Sequence, residues 1–375
     1  MDRRPRFDLE RRIPLPTSPR DRSRVSYAVR DIVPLDAVDP RVLVSVGSGL
    51  VALLDVERCE VTQVLREAER TGGAATRVGA IAGGRVVMWG DELVEALDLA
   101  TGASLWTAAE GDHSLDLSEG ECFVPVGSDV IRLPNGYVLD LRDGELVSVE
   151  PTDGLTRDDL EAWWVATPDP LRGLLVALNG HLWRWDPSDT VRPFERRGVV
   201  PADARALKRH GDALYLVAGD GSLWRMERTD RPAKRLSDAL FDAAHRRVVD
   251  ARLTFIPEVP FLKTQGPAVA MALSTDGVAD RSWRELLVTW EVGATEAPRV
   301  RFDMEWWFGA RLGPVVLDHD TLVFDLAGAL CVGNPRSSFR TPLVASTHDA
   351  SALAFHRDRL LVGDRDCLRV VPLAT

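Results

Sequence analysis

The sequence has little of several things that would point to a chemical site at once. Its 375 residues include only four cysteines, Cys59, Cys122, Cys331 and Cys367, and no two stand at CxxC or CxxH spacing. A metal or redox centre needs ligands that converge, and close sequence pairs are its usual signature. The expectation is therefore buried, reduced thiols packing as small hydrophobes. Only three lysines, Lys208, Lys234 and Lys263, stand among the 46 basic residues, a bias that fits a GC-rich bacterial genome. No run of about 18 apolar residues occurs, so no bilayer-spanning helix is expected. The net charge is -11, which argues against wrapping nucleic acid or coating an anionic membrane.

Other motifs are missing too. There is no GxxxxGK[ST] phosphate loop and no GxSxG elbow. The seven histidines form no HxH or HExxH pair, and His319-Asp320 and His348-Asp349 fall in turn-like contexts unlike the helices that carry HD-type metal pairs. Gly219-Asp-Gly221-Ser and Thr275-Asp-Gly277 read as hairpin turns. Asp276 and Asp280 are too few for a calcium cage. No catalytic residue, metal ligand or cofactor is assigned, and the balance leans away from an enzyme.

The opening stretch, MDRRPRFDLERRIPLPTSPRDRSR, lacks an apolar core and a small-residue cleavage site. It is not expected to be a secretory signal, and the expected location is cytoplasmic. Residues 1–30 hold nine arginines against four acidic residues, a charge of +5, so the net of -11 leaves -16 on the remainder. A basic arm of this kind either folds back on the acidic body or meets an acidic partner.

What the chain does contain is strand signal: short runs of Val, Leu, Ile and Trp broken by Gly, Asp and Asn. Residues 154–162 and 237–246 are the best helical candidates, and both are short. A unit recurs in which one strand ends in a Gly- or Asp-containing turn, a second strand follows and an outer strand closes. The second strand begins at Leu50, Leu93, Tyr137, Leu182, Leu223, Leu286, Ala329 and Cys367, at spacings of 43, 44, 45, 41, 63, 43 and 38. A four-stranded unit of about 40–45 residues is the signature of a β-propeller blade. The expected fold is all-β: one propeller over residues 31–375, eight blades with seven as the alternative count if 113–149 or 311–345 is an elaborated loop. The last unit has three strands, so an N-terminal strand within Val25–Val33 is expected to supply its fourth.

The spacing of 63 marks an insertion at about 253–284, holding Pro257, Pro260, Lys263, Gly266 and Pro267. It reads as an extra hairpin or as a projecting loop, and loops on a rigid ring commonly carry recognition. Tryptophan is in excess, 11 against three tyrosines. Trp89, Trp106, Trp183, Trp185, Trp224 and Trp290 fall on strands, where they are expected to fill space between blades. The doublets Trp163-Trp164 and Trp306-Trp307 differ. Adjacent strand residues face opposite sides, so both indoles pack between blades if the blade is covered on both faces, or one of each pair stands at the rim as a candidate partner contact. Lys263 is a further candidate contact.

Two segments carry family resemblance. Ala96-Leu-Asp98-Leu-Ala-Thr101-Gly102-Ala-Ser-Leu-Trp106 resembles the A-x-D-x-x-T-G-x-x-x-W docking motif of PQQ-like propellers. It is degenerate at Val138-Leu-Asp140-Leu-Arg-Asp-Gly144 and at Trp183-Arg-Trp-Asp186-Pro-Ser-Asp. The last repeat, from His348-Asp349 to Asp366, resembles a WD-type blade, in which a His and a turn Asp form an internal clasp. The vicinal cysteines, calcium ligands and signal peptide of quinoprotein enzymes are not visible, so the resemblance implies architecture without quinone chemistry. Cytoplasmic PQQ-like propellers of bacteria resemble partner-binding subunits, some beside MoxR-type AAA+ ATPases and von Willebrand A (vWA) proteins. The expected function is a non-catalytic protein-interaction scaffold. The alternatives are a propeller hydrolase or lyase with channel carboxylates, and sugar binding in the central channel.

Overall fold

Short aliphatic runs ended by turn residues favour antiparallel strands paired with their sequence neighbours. The computed structural model describes residues 5–16, 28–67, 77–89, 93–109, 124–126, 130–132, 137–140, 142–148, 155–156, 159, 165–169, 173–186, 189, 192–256, 268–278, 283–291, 299–305, 315–316, 322–326, 329–333, 343–346, 351–364 and 366–373. Among these, eight four-stranded sheets form, seven of them from four consecutive strands. The first holds Val29–Pro34, Arg41–Val46, Val51–Asp55 and Glu60–Arg66, and the second Arg77–Ala82, Arg85–Trp89, Leu93–Asp98 and Ser104–Ala109. The third to seventh begin at Val124, Val165, Ala204, Arg246 and Val315. The eighth takes Ala352–His356, Arg359–Gly363 and Cys367–Pro372.

Each recurring strand of the sequence repeat is the third strand of its sheet. The pattern is most legible there because the strand is apolar and ends in a turn Asp or Glu. Two units divide the chain: Met1–Val149 with Gly328–Leu330 and Ala345–Thr375, and Glu150–Ala327 with Cys331–Val344.

Period-two alternation distributes the middle strands between two cores in the first unit. Val42, Val44, Val46, Ala52 and Leu54 pack with Leu361, Leu368 and Val370 of the eighth sheet. Their neighbours Leu43, Val51 and Leu53 point the other way, onto Val86, Met88 and Leu97 of the second sheet. Sheet-on-sheet packing on both faces explains why Val51–Asp55 is buried at every position, whereas the outer strand Glu60–Arg66 alternates. In the second unit, Leu207, Leu214 and Leu216 of the fifth sheet meet Leu175 and Leu182 of the fourth. Tyr215 and Val217 meet Leu253, Val269 and Met271 of the sixth.

Two expectations are corrected. The fourth strand of the eighth sheet is Arg11–Pro14, which pairs antiparallel with Cys367–Pro372. The Val25–Val33 window instead contributes to the first strand of the first sheet, with Val29 opposite Val46. Arg11–Pro14 fits an edge place because it alternates, exposing its arginines and burying Ile13 at 1%. Hence part of the basic arm (1–30) is strand, anchored further by Arg6 N donating to Pro372 O at 2.8 Å and Leu15 N to Asp366 O at 2.9 Å. Second, 237–246 forms no helix. Leu240 and Phe241 donate to Asp220 O, and Asp242 Oδ1 accepts from Ala244 N. These local bonds compete with a helical ladder. The insertion read at about 253–284 as an extra hairpin or a projecting loop contributes residues 253–256 and 268–277 to two long strands of the sixth sheet, Arg246–Ile256 with 11 residues and Ala268–Gly277 with 10; residues 257–267, with Lys263, lie outside the described ones.

Candidate functional site

The best-defined local geometry is a turn that joins the third and outer strands. In the second sheet, Asp98 Oδ1 accepts from Ala100 N at 3.1 Å, Thr101 N at 2.7 Å and Thr101 Oγ1 at 2.8 Å, while Gly102 N donates to Asp98 O at 2.8 Å. The hydrogen bonds from Thr101 hold the Asp98 carboxyl below its usual range. At Asp140 the same loop forms with Gly144 N donating to Asp140 O at 2.9 Å. Here Arg142 clamps the carboxylate in place of a threonine, and its hydrogen bond is the chief cause of the lowered Asp140 pKa. The first sheet repeats the loop at Asp55, whose Oδ1 accepts from Glu57 N and Arg58 N. Cys59 occupies its left-handed position at φ 57°. Sequence reading missed this copy because neither Thr nor Gly marks it. Its Asp at the end of the recurring strand was the available signal.

The turns dock sheet upon sheet. Gln63 Nε2 donates to Ala100 O at 2.8 Å, and Trp106, two strands' ends further on, stacks so closely on Gly144 that a Cβ there would lie 2.7 Å from the indole. Gly102 likewise faces the Leu65 backbone, a Cβ meeting Leu65 O at 2.4 Å. Its φ is +74°, and left-handed backbone alone costs a non-glycine about 1–2 kcal/mol. Gly84 has φ +75° with open space around it. We therefore expect Gly84→Ala to cost about 1 kcal/mol and Gly102→Ala clearly more. Equal denaturation midpoints for the two variants would remove the docking contribution.

The remaining candidates are placed as follows. Trp163, Trp164, Trp306, Trp307, Lys263 and His348 lie outside the described residues. Asp366 is exposed in the turn before Cys367, where its carbonyl receives Leu15 N. The Cys367 thiol is buried and pushed up to about 11, chiefly by burial and then by Asp364 and Asp366. Trp183, Trp185 and Trp290 are buried. Among the described residues, no group of three or more His, Cys, Asp or Glu side chains could hold a metal ion.

A second feature escaped sequence reading. The inner strand of the fifth sheet reads Ala-Arg-Ala-Leu-Lys-Arg-His over Ala204–His210, three permanent cations without an acid. Lys208 Nζ donates to Leu253 O at 2.9 Å, and His210 stacks on Phe255 with centroids 4.1 Å apart and planes 13° from parallel. Desolvation lowers the Lys208 pKa from its ordinary 10.5. The residue as a whole is exposed, so the effect on stability is expected to be small. The unfolded chain then holds this proton more tightly than the folded one, and stability from this group rises with pH between the lowered value and 10.5. We expect Lys208→Met to raise the melting temperature slightly at pH 7, with the gain shrinking toward 10.5. A gain independent of pH would contradict this origin.

Geometry of this kind can be set beside solved structures. The chain is similar to the WD40 domain of SCAP from fission yeast, with 8% identity, a TM-score of 0.55, and coverage of 98% of this chain and 95% of that one. The chain has the β-propeller fold. It is also similar to the computationally designed Ika8 protein, with 13% identity, a TM-score of 0.52, and coverage of 96% and 99%. A looser likeness joins it to BamB from Moraxella catarrhalis, with 13% identity, a TM-score of 0.40, and coverage of 92% and 83%. No protein-family model matches the chain, and no curated protein does. Turn-mediated docking of sheets is consistent with the propeller fold, in which each blade buries its faces against neighbours.

Proposed function

We propose that this chain is an eight-bladed propeller, closed by the N-terminal strand Arg11–Pro14, that serves as a non-catalytic binding subunit in a bacterial cytoplasmic assembly. Burial of the middle strands on both faces leaves edge strands and connecting loops as the surface offered to partners. The observation that carries the reading is the pair Val64 and Leu105, large aliphatic side chains 39% and 44% exposed on the outer strands of successive sheets. The Gln63–Ala100 bond keeps those strands in fixed relation. Aliphatic side chains held rigidly in water bury area on association at little entropic cost.

The resemblance of the repeat to PQQ-like subunits points to a MoxR-type AAA+ ATPase or a vWA protein as the partner. Trp163, Trp164, Trp306, Trp307 and Lys263 are further candidate contacts. The test is affinity purification from the native host under gentle conditions, with identification of co-purifying chains. A stoichiometric partner is expected, and Val64→Asp with Leu105→Asp should release it while the melting temperature stays unchanged. Reproducible recovery of the chain alone overturns the subunit reading.

A further inference from the structure

We propose that the inner strand of the fifth sheet, Ala204–His210, binds an acidic, extended peptide segment of a protein partner. The inference rests on the reading of the chain as a binding subunit and adds the chemistry of one contact.

The first ground is charge left unmatched. Many guanidinium groups of this acidic protein are paired locally, as in Arg41 with Asp39, Arg142 with Asp140 and Arg228 with Asp230. Among the described residues, Arg205 and Arg209 have no ion pair, and the Nε of each is shielded from water without a hydrogen-bond partner. Lys208 has only the Leu253 carbonyl. Of the nearby acids, Asp203 accepts from Gly219 N and Asp250 lies 3.9 Å from Arg252, while Asp212 is exposed in the turn after His210 and forms no ion pair with either arginine. Leaving a shielded donor without an acceptor opposes folding, and such donors are commonly completed by water, an ion or a ligand.

The second ground is the arrangement of the cations. A strand rises about 3.3 Å per residue, so Arg205, at a break in the register, Lys208 and Arg209 are spread over roughly 13 Å. A single phosphate needs donors converging on one point. An extended chain with a carboxylate at every second residue, repeating at roughly 6.6 Å, matches a row. Nucleic acid, the other elongated polyanion, has no backbone amides to pair along a strand edge, which favours the peptide.

The third ground is topology. Ala204–His210 is an edge of its sheet, paired only with Ala213–Ala218. Arginine and lysine on an edge repel strand addition by neutral or basic segments. An acidic segment reverses that sign, so the feature that protects the edge also selects its occupant. The end of the strand is held rigid where His210 stacks on Phe255 and Phe255 meets the Tyr215 ring at 5.0 Å. A pre-ordered strand loses little entropy on binding.

The test uses the full chain and a fluorescein-labelled Glu-Ser repeat of roughly ten residues, long enough to span the row, read by anisotropy. The Gln-Ser counterpart should bind about tenfold more weakly, and the pair R205Q and R209Q should lose about tenfold, as charge-assisted contacts require. R205K with R209K should retain most of the affinity, and raising salt from about 50 to about 300 mM should weaken the wild type about tenfold. Melting curves establish that the variants fold. Equal binding by wild type and R205Q/R209Q, equal binding of the Glu and Gln peptides, no binding of either, or tighter binding of a single-stranded oligonucleotide each overturns the proposal. Failure here with a partner still co-purifying leaves the subunit reading standing. A missing partner with intact peptide binding has the opposite meaning.

Discussion

Removing residues 1–16 is expected to destabilise the protein by about 3–6 kcal/mol, from the loss of two buried aliphatic side chains at about 1.5–3 kcal/mol each. Those side chains are Ile13, 1% exposed, and Leu15, 6% exposed. Deletion also takes away the strand that covers Cys367–Pro372 and separates Glu10 from Arg369, which lie 3.5 Å apart. An uncovered, largely apolar edge strand is a template for intermolecular pairing, so the truncated chain should aggregate as it unfolds. Guanidinium denaturation with light scattering measures both effects. An unchanged midpoint would mean that the strand decorates the eighth sheet without supporting it, and would release the basic arm for partner contact.

Glu95→Ala should have a comparable effect, about 3–5 kcal/mol, as expected when one partner of a buried ion pair is removed. Arg66 and Glu95 join the outer strand of the first sheet to the third strand of the second, their side chains 10% and 11% exposed. Arg66 also donates through Nε to Gly49 O at 2.7 Å, which holds it in place when the carboxylate is gone. The penalty is then that of a shielded cation short of its counter-charge. Arg66→Met combined with Glu95→Leu removes both charges and should recover most of the loss. A double variant as unstable as Glu95→Ala alone would show that packing, and not charge, dominates at this junction.

Several features were legible in the chain alone because they are local. Most third strands announce themselves by apolar runs closing on Asp or Glu, as at Asp55, Asp98 and Asp140, and each lies in a sheet where the repeat placed it. The Thr101-Gly102 turn is written in residues adjacent to one another, and its hydrogen bonds span no more than four positions. The 11-residue strand at Arg246–Ile256 was harder to see, since 63 residues between anchors fit a long hairpin and a loop equally well.

The N-terminal strand of the eighth sheet was misplaced for a physical reason. Both Arg11–Pro14 and Val29–Val33 have the alternation of a half-buried strand, and nothing in that pattern names a partner more than 300 residues away. Cross-strand register with Cys367–Pro372 decides it. The cationic row at Arg205, Lys208 and Arg209 was hidden in the same way, because 27% of the chain is charged and the absence of a spatial counter-ion is visible only in the structure.

The sequence by itself determined the strand period, the repeat near 43 residues, the β class and the scarcity of thiols and lysines that made metal and redox chemistry unpromising. It also yielded the turn chemistry, since a carboxylate meeting amides two and three residues on is set by local backbone geometry. Tertiary structure alone decided which N-terminal segment completes the eighth sheet, which glycines must lack a Cβ because another sheet lies against them, and which arginines are left without a carboxylate. Those outcomes depend on atoms brought together across long loops, where contact energy and not sequence proximity selects the neighbour.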